Sequence, residues 1–554
     1  MLAFASSAYG SATKLWFGDA EIESAEGVQQ GDPIGPLLFC LAIHNLLQNI
    51  RCDFVAGYLD DISIGGPIES VSSAVQTIEA NSLAIGLQLN HSKCETLGVS
   101  EAAHSSCGFS SFKKCSMDKA TLLGAPIHQL ALNDVLATHM SKLGQAVPRL
   151  SKMSSHEAIF LLKNSLAIPK LLYTLRTSPC FLSPILSEFD KLVIRTLAVC
   201  SNVRLNDSSE QQATLPVRWG GLGVRSAVNL APSAFLASAS AAEPLLQAML
   251  PMPVLMSPDP IITDALSAWR AAGGSVQPPP DLARNQRAWD ESVCESVATA
   301  ALQNADIPTK ARLLASSSTG SGHWLHALPS SSLGLRLSND ETRTAVGLRL
   351  GAPLVREHAC VCGSQVESNG HHGLACRRSA GRQLRHRLAN DVIVRAFRSC
   401  ETPAELEPPR LIRGDGKRPD GATLIPWTRG KCLVWDFTSP DTMAPSHVKQ
   451  SSMASGAAAS MAEKLKRDKY SELATSNDFV PIAVETMGAW GADALALTAE
   501  LWGRIAALTG EPRSTSFLRQ RLDIAIQRGN AAAVRGTLPG ANHLGGVDLE
   551  DDNT

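Results

Sequence analysis

Two adjacent aspartates, Asp60 and Asp61, stand between two short apolar segments, and no other feature constrains the fold of this chain more strongly. Residues 54–64 predict two strands joined by a tight turn, with the acidic pair at the turn. Neighbouring carboxylates repel each other and a turn needs only one aspartate, so the pair is costly for a purely structural turn. A divalent cation would explain it, because Mg²⁺ prefers carboxylate oxygens on a rigid scaffold. The pattern predicts a hairpin that holds Mg²⁺, with a structural Asp-Asp turn as the alternative.

The surrounding segments predict a mixture of helices and strands. Pro36 precedes an apolar stretch that continues to Ile50, which predicts a largely buried helix that begins at its prolines. Residues 68–85 carry apolar side chains at helical spacing, and Gly86 follows at the position of a C-terminal cap. Residues 87–99 return to a strand pattern. This part of the chain is therefore expected to be α+β, with helices packed on an antiparallel sheet.

Length and composition limit the class of protein. At 554 residues, with 44% hydrophobic residues, the chain has the composition of a globular protein and is too long for one core. The net charge of −2 neither indicates nor excludes a nucleic-acid partner. The 13 cysteines, an odd number and mostly scattered, argue against a secreted disulfide scaffold and for a reducing compartment. With no signal-peptide pattern and no apolar run of membrane-spanning length, the protein is expected to be soluble and intracellular, without a membrane partner.

A cluster of cysteines and histidines lies in the second half of the chain. Cys360, Cys362 and Cys376 are close together, and two histidines lie between them. Tetrahedral zinc readily takes three thiolates and one imidazole, and small zinc sites fold around close pairs of ligands. The pattern predicts a structural Zn²⁺ bound by these cysteines and His371, although His372 fits the spacing equally well. Buried cysteines with exposed histidines are the alternative.

An arginine-rich stretch follows directly. Between Arg377 and Arg398 there are seven arginines and a single acid, Asp391. A local basic patch in a nearly neutral protein is typical of phosphate contact. A solvated, arginine-rich helix face is the alternative. The arginines nearest the cysteine cluster are the candidate nucleic-acid contacts: Arg377, Arg378, Arg382, Arg385 and Arg387.

A second acidic pair lies beyond the arginines. Asp420 follows Pro419, and Asp436 lies inside the apolar strand pattern of residues 433–437. Two such acids with a lysine nearby form the constellation of a metal-dependent nuclease, in which the acids hold Mg²⁺ and the lysine stabilises charge or orients water. The alternative is one aspartate in a Pro-Asp-Gly turn and a second, buried aspartate whose hydrogen bonds are satisfied.

Residues 27–36, the apolar helix and the Asp60-Asp61 turn occur in an order that resembles the reverse transcriptase family. The resemblance implies that the loop around Gly31 packs under the incoming nucleotide and template, where the missing side chain allows close approach. It also implies that Asp60 is the principal Mg²⁺ ligand, with Asp61 as its neighbour, and that residues 122–127 form the primer-gripping hairpin. The nucleotide- and template-binding residues that the family motifs imply are Gln30, Gly31, Tyr58 and Lys93.

Reverse transcriptases hold their metals with a third aspartate on an earlier strand. The only aspartate ahead of the glycine loop is Asp19, in a pattern that predicts a turn. The fingers and the first catalytic strand are therefore expected to be missing. Because the metal pair would then be poorly held, the chain alone is not expected to polymerise DNA.

The downstream motifs resemble those of non-LTR retrotransposons that carry a restriction-enzyme-like endonuclease. The cysteine spacing is similar to a zinc-knuckle-like motif, and Asp420 with Asp436 is similar to the PD-(D/E)xK nucleases. Thr438 stands where those nucleases have their lysine, and the gap between the acids is slightly long. The family's lysine can move to the following helix. The candidates there are Lys464, Lys466 and Lys469, of which the first and the last are preferred.

These patterns together predict a multidomain α+β protein. In chain order, the expected domains are a partial reverse-transcriptase palm (1–130), a thumb-like helical region (131–226), a helical linker (227–335), a zinc-knuckle-like motif with the arginine-rich helix (336–400), a restriction-enzyme-like α/β endonuclease (401–510) and a C-terminal helix with an acidic tail (511–554).

The resemblance implies RNA-directed DNA synthesis from a nicked DNA target, known as target-primed reverse transcription. Mg²⁺ would serve the polymerase and nuclease sites, and the partners would be the element's transcript and the target DNA in the nucleus. The oligomeric state is left open. One alternative is a non-catalytic, nucleic-acid-binding remnant of a retroelement, and another is a stand-alone Mg²⁺-dependent endonuclease that nicks DNA.

Overall fold

The computed structural model describes residues 2–29, 31–249, 260–409, 418–511 and 513–538. The chain divides into two compact units, Met1–Ala131 and Leu132–Thr554. The acidic tail expected near the end of the chain lies outside the described residues, as does Gln30.

The first unit consists of short helices and strands. Its elements are α1 (Leu2–Tyr9), β1 (Thr13–Phe17), β2 (Ala20–Ser24), α2 (Gly35–Gln48), β3 (Phe54–Tyr58), β4 (Asp61–Gly65), α3 (Ile68–Ser82), β5 (Glu95–Leu97), α4 (Glu101–Ser106), β6 (Lys113–Cys115), β7 (Thr121–Leu122) and β8 (Ala125–Pro126). The strands pair as separate two-stranded sheets, and the β5–β6 pair is parallel. The expectation of one antiparallel sheet is therefore wrong for the described residues. Helix α4 connects β5 to β6, and a helical crossover allows parallel pairing.

Several predicted boundaries are confirmed in this unit. Helix α2 begins at Gly35 with Pro36 in its first turn, where a missing N–H costs nothing. Helix α3 passes into a 3₁₀ turn that ends at Gly86, whose φ of 74° lies in the left-handed region. Residues 87–99 form less strand than predicted, since only β5 is extended and paired there.

The small core of the first unit joins α2, α3 and the β3–β4 hairpin. Leu46 of α2 and Ile78 of α3 are buried together, with Val55 of the hairpin packed against them. On the other face of α2, Leu37 is 45% exposed and Leu41 is 60% exposed. The expectation of a largely buried helix is wrong, because only one stripe of an amphipathic helix meets apolar neighbours within this unit.

The second unit begins with a helical body. Its helices are α5 (Gln129–Leu150), which starts just ahead of the boundary, α6 (Ser155–Leu161), α7 (Ile168–Thr177), α8 (Pro184–Ser201), α9 (Asp207–Thr214), α10 (Ala227–Met249), α11 (Pro260–Ala271), α12 (Gln286–Gln303), α13 (Ile307–Ser316) and α14 (Asn339–Leu350). One hydrophobic core runs through them and includes Leu175, Trp269 and Trp324. The Trp269 indole also donates to the Trp289 carbonyl at 3.0 Å. Residues 227–335 thus differ from the expected linker, because their tryptophans fill the same core as the thumb-like helices.

One described stretch, Ser155–Thr177, is long and apolar enough to cross a membrane by length and composition alone. It comprises α6, a π-helical turn and α7. Its side chains Leu162, Leu171 and Leu175 belong to the hydrophobic core of the helical body. A core helix passes the same length and composition test.

The remainder of the second unit contains a small hairpin, a four-stranded sheet and the helices around them. The elements are β9 (His358–Ala359), β10 (Gln365–Val366), α15 (His371–Ala375), α16 (Ala380–Ser399), β11 (Ala404–Leu406), β12 (Gly421–Thr423), β13 (Leu433–Thr438), α17 (Val448–Ser451), α18 (Ala457–Lys469), α19 (Leu473–Ser476), β14 (Asp478–Ala483), α20 (Ala492–Thr509) and α21 (Ser514–Arg535). The sheet has the order β11-β12-β13-β14, with β13–β14 parallel and the other pairs antiparallel.

Both faces of this sheet are covered. On one face, the Phe397 ring of α16 stacks on Trp435 at a centroid distance of 5.0 Å. On the other face, Tyr470 packs with Val434. Successive side chains of a strand point to opposite faces, so Asp436 lies on the Val434 face of β13.

Helix α21 packs closely along α16. A Cβ added at Gly381 would lie 2.2 Å from the Ala533 nitrogen, and one added at Gly529 would lie 1.8 Å from the Arg385 side chain. Glycine is therefore needed at both positions for the two helices to approach each other. This contact fixes the arginine-rich helix between the sheet and α21.

Candidate metal centres

The β3–β4 hairpin carries the first acidic pair. Tyr58 pairs with Asp61 in the antiparallel register, so Leu59 and Asp60 form the two-residue turn. Leu59 has a φ of 55°, in the left-handed region that leucine rarely adopts, and such strain is concentrated at functional sites. Both aspartates and Tyr58 are exposed to solvent. The predicted hairpin is confirmed, and its tip presents two acids that a cation can reach.

The glycine loop is also shaped as its sequence suggests. Gly31 has a φ of 95°, which residues with a Cβ rarely adopt, whereas an added Cβ would meet no atom within 4 Å. Among the described residues, no atom would block a side chain at this position, so it is the backbone conformation that requires glycine. Asp32 fixes the loop, because its carboxylate accepts from the Ile34 N–H at 3.0 Å and from the Tyr9 hydroxyl. The Tyr9 hydrogen bond lowers the pKa of Asp32.

Three further residues bear on the polymerase site. Lys93 is exposed at the end of a 3₁₀ turn, and Gln30 lies outside the described residues, so their roles stay predictions. Asp19 lies in the exposed turn between β1 and β2, as predicted. In the part of the chain that the structure describes, no third acidic, cysteine or histidine side chain joins Asp60 and Asp61 in one metal-binding group.

The β9–β10 hairpin and α15 bring four soft ligands together. The ligand atoms of Cys360, Cys362, His372 and Cys376 all lie within 4.8 Å of one another. The Cys360 and Cys376 sulfurs are 3.8 Å apart, and the Cys362 sulfur is 3.2 Å from His372 Nε2. Hydrogen bonding from Ser364 lowers the pKa of Cys362 to about 6, while burial raises the pKa of Cys360 to about 11. Three sulfurs and one imidazole at these separations fit a tetrahedral Zn²⁺.

The structure brings His372, and not His371, to the cysteines. Successive helical residues point in directions about 100° apart, so only one of the two imidazoles can face the sulfurs. His371 instead turns inward, where its Nε2 is buried without a hydrogen-bond partner among the described residues. Burial lowers the pKa of His371. The choice of His371 as the zinc ligand is therefore corrected to its neighbour.

The arginines after this cluster divide into two kinds. Arg377, Arg378, Arg382 and Arg387 are exposed, which suits contact with a polyanion. Arg385 is only 2% exposed, and its guanidinium donates to Asn530 Oδ1 at 2.7 Å and to the Leu374 carbonyl at 2.8 Å. Burial lowers the pKa of Arg385 to about 10. The expectation that Arg385 contacts nucleic acid is wrong, because its side chain ties α16 to α15 and α21.

The second acidic pair lies in the middle of the four-stranded sheet. Asp420 directly precedes β12, and its N–H donates to the Trp435 carbonyl at 3.1 Å, although the β12–β13 register pairs Trp435 with Gly421. Asp436 is 3% exposed, and Asp420 Oδ2 accepts from the Phe437 N–H at 2.6 Å. The two acids singled out in the sequence are thus neighbours in the fold.

Lys466 is the lysine that reaches this pair. Its Nζ lies 2.5 Å from Asp436 Oδ1. Lys464 is exposed, and residues two positions apart lie on nearly opposite sides of a helix. Lys469 is engaged by Tyr470, whose hydroxyl accepts from it at 2.9 Å. The preference for Lys464 or Lys469 over Lys466 is therefore wrong.

His386 is a member of this group that sequence reasoning missed. Its Nε2 lies 2.9 Å from Asp420 Oδ2, and its ring packs edge-on to Phe437 at 6.0 Å. The Asp420 hydrogen bond raises the pKa of His386. The only signal in the sequence was helical spacing, because Arg382, His386 and Asn390 recur every four residues and share one face of α16.

Comparisons with known proteins agree with the geometry of the first unit. Residues 6–127 match the family described as reverse transcriptase (RNA-dependent DNA polymerase). This stretch contains the glycine loop, the Asp60-Asp61 hairpin and the β7–β8 hairpin. The chain therefore carries a reverse transcriptase domain.

A curated relative refines this class. The chain is 26% identical over 237 residues to the Retrovirus-related Pol polyprotein from type-2 retrotransposable element R2DM of Drosophila melanogaster. The match covers 38% of this chain and 22% of the relative, so the chain spans about a fifth of the length of the curated relative it matches. Together the two matches support a reverse transcriptase of the non-LTR retrotransposon kind.

Proposed function

We propose that this chain nicks DNA with Mg²⁺ and takes part in target-primed reverse transcription as a segment of a non-LTR retrotransposon protein. The observation that supports the nuclease most directly is that Asp420 is hydrogen-bonded to the residue after Asp436, while Lys466 contacts Asp436. Two neighbouring carboxylates repel each other, so an arrangement of this kind needs compensation. Lys466 supplies part of it, and a divalent cation would supply the rest.

The residues present fit a Mg²⁺ ion. Asp436 Oδ1 is buried and is contacted by Lys466 at 2.5 Å, but it takes no well-directed hydrogen bond from the described residues. Asp420 Oδ2 is held by the Phe437 N–H, which leaves Asp420 Oδ1 for a ligand. When bound, Mg²⁺ would polarise the scissile phosphate and lower the pKa of a bound water. Lys466 would stabilise the charge that develops on the phosphate oxygens.

For the polymerase, we propose that Asp60 and Asp61 hold Mg²⁺ at the tip of the hairpin. Gly31 and Gln30 would pack against the incoming nucleotide and template, with Tyr58 and Lys93 contacting the same substrates. The family match supports this assignment, and two-metal phosphoryl transfer needs a further acid beyond these two. We therefore propose that polymerase activity is defective in this chain on its own.

For the cysteine cluster, we propose a structural Zn²⁺ held by Cys360, Cys362, His372 and Cys376. The exposed arginines that follow it would lie along DNA or RNA, with the element's transcript and its target DNA in the nucleus as partners. Guanidinium groups neutralise phosphates and release counterions, which makes such binding strong at low salt. The exposed arginines in question are Arg377, Arg378, Arg382 and Arg387.

A plasmid-nicking assay with Mg²⁺ tests the nuclease. The variants are Asp420→Asn and Asp436→Asn, and the matched control is Asp468→Asn, an exposed aspartate of α18. Loss of nicking in both variants, with the control unchanged, supports the proposal. Nicking that survives both substitutions contradicts the site. DNA binding without nicking by the unaltered chain would favour the non-catalytic remnant.

A further inference from the structure

A chain of hydrogen bonds leads from the face of the sheet that α16 covers to Asp420. The Trp435 indole N–H, which can only donate, lies 3.0 Å from Asn390 Oδ1. This contact fixes the Asn390 amide so that its Nδ2 points to His386 Nδ1, 3.4 Å away and one helical turn earlier. His386 Nδ1 must then accept, and so its Nε2 carries the hydrogen.

His386 Nε2 donates that hydrogen to Asp420 Oδ2 at 2.9 Å. The same oxygen accepts from the Phe437 N–H at 2.6 Å. Two donors therefore converge on one oxygen of Asp420 from different elements, α16 and β13. A carboxylate held in this way cannot rotate freely, and its other oxygen is directed away from both donors.

We infer that His386 is a positioning residue that orients Asp420 so that its Oδ1 faces the Mg²⁺ of the nuclease. This inference rests on the nuclease proposed above. Groups that hydrogen-bond a metal ligand fix its orientation, and losing one costs about 10- to 100-fold in metal affinity. His386 itself touches Asp420 and not the metal.

The position of His386 fits this role better than a purely structural one. Its side chain is 47% exposed, whereas the Asp420 side chain is 13% exposed. A half-exposed side chain contributes little to the core, so its loss should leave most of the stability in place. The effect of replacing it should instead fall on the carboxylate that it contacts.

The test measures Mn²⁺ affinity, by electron paramagnetic resonance or calorimetry, on the full chain without DNA. Asp60→Asn and Asp61→Asn are present throughout, so that the hairpin acids do not contribute. His386→Ala should weaken Mn²⁺ binding about tenfold. His386→Gln should restore most of it, because the glutamine amide nitrogen reaches about as far as Nε2. His386→Asn should not, because its nitrogen falls at the Nδ1 position.

Gln383→Ala, which removes an exposed side chain of the same helix, is the matched control and should bind Mn²⁺ normally. If His386→Ala proves unstable to heat, the test is the difference in Mn²⁺ affinity between His386→Gln and His386→Asn. Equal Mn²⁺ affinity in all His386 variants, while Asp420→Asn lowers it, would overturn the role of His386 and leave the nuclease site standing. Mn²⁺ affinity that does not depend on Asp420 would overturn both.

Discussion

Lys466 Nζ lies 2.5 Å from Asp436 Oδ1, and this ion pair joins α18 to β13, one of the two inner strands of the four-stranded sheet. Asp436 is 3% exposed, so its negative charge is removed from water and needs a nearby cation. The same lysine is the candidate for stabilising charge on a scissile phosphate.

We predict that Lys466→Ala lowers the rate of plasmid nicking by about 10²-fold or more, because a fixed cation at the reacting phosphate is lost. Lys464→Ala on the exposed side of the same helix should nick at the normal rate. The measurement is the initial rate at saturating Mg²⁺. Equal rates for the two variants would contradict the assignment of Lys466.

We predict that His372→Ala lowers the zinc content of the purified protein, whereas His371→Asn retains one zinc per chain. Of the two histidines, only His372 turns its ring towards the cysteine sulfurs, and its Nε2 lies 3.2 Å from Cys362 Sγ. Metal content by mass spectrometry checks both variants, and Cys376→Ser provides a positive control for loss. Zinc retained by the His372 variant and lost by the His371 variant would restore the original assignment.

We predict that Arg385→Ala lowers the free energy of unfolding by about 2–4 kcal/mol, because buried hydrogen-bond acceptors lose a charged donor. Arg382→Ala, on the exposed face, should leave stability unchanged and weaken DNA binding. For the Arg382 variant, the magnitude of the slope of log affinity against log salt should decrease by about 1, the contribution of one phosphate contact. Urea denaturation and DNA binding at several salt concentrations separate the two arginines. A normal stability for Arg385→Ala would contradict its structural role.

We predict that acid weakens the helical body through His156. Burial lowers the pKa of His156 to about 4, against about 6.5 in an unfolded chain. Between these values the unfolded state binds more protons, so stability is complete above pH 6.5 and falls as the pH drops towards 4. The expected slope is about 1.4 kcal/mol per pH unit for this one group.

His156→Asn tests this prediction, because its amide oxygen can still accept the Leu337 N–H that the imidazole accepts at 3.1 Å. Unfolding measured at several pH values should depend less on acid in the variant. An unchanged pH dependence would show that another group is responsible.

We predict that the chain alone does not extend a DNA primer on an RNA template with Mg²⁺. Two acids at the hairpin tip hold a pair of metal ions poorly, and within the described residues no third ligand joins them. Primer extension on a gel checks this, with Asp60→Asn as the control for contamination. Robust synthesis that disappears in the Asp60 variant would contradict the prediction.

Local patterns in the sequence predicted local structure well. The Asp60-Asp61 hairpin, the helix that starts near Pro36 and the left-handed cap at Gly86 depend on a few neighbouring residues, and all three form. The proximity of Asp420 and Asp436 was half predicted, since the nuclease pattern grouped them. How close they lie, however, depends on how β12 and β13 align.

The site residues that were predicted wrongly or missed are decided by contacts between distant segments. Which face of α18 meets the sheet decides between Lys466 and its neighbours, and the rotation of α15 decides between His371 and His372. In the sequence, Arg385 cannot be told from the other arginines, because its partner Asn530 lies 145 positions further along the chain. Composition gives no information on such pairings, and His386 was missed for the same reason.

The stacking of Phe397 on Trp435 has a consequence for how this protein can be divided. A fragment that starts at residue 401 would lose α16, and with it the Phe397 ring that covers β13 and the Arg385 guanidinium that holds α21. The nuclease-like sheet is therefore not an exchangeable module at that boundary. Recombination between related elements, or the design of a minimal nicking enzyme, would have to carry the cysteine cluster, α16 and α21 together.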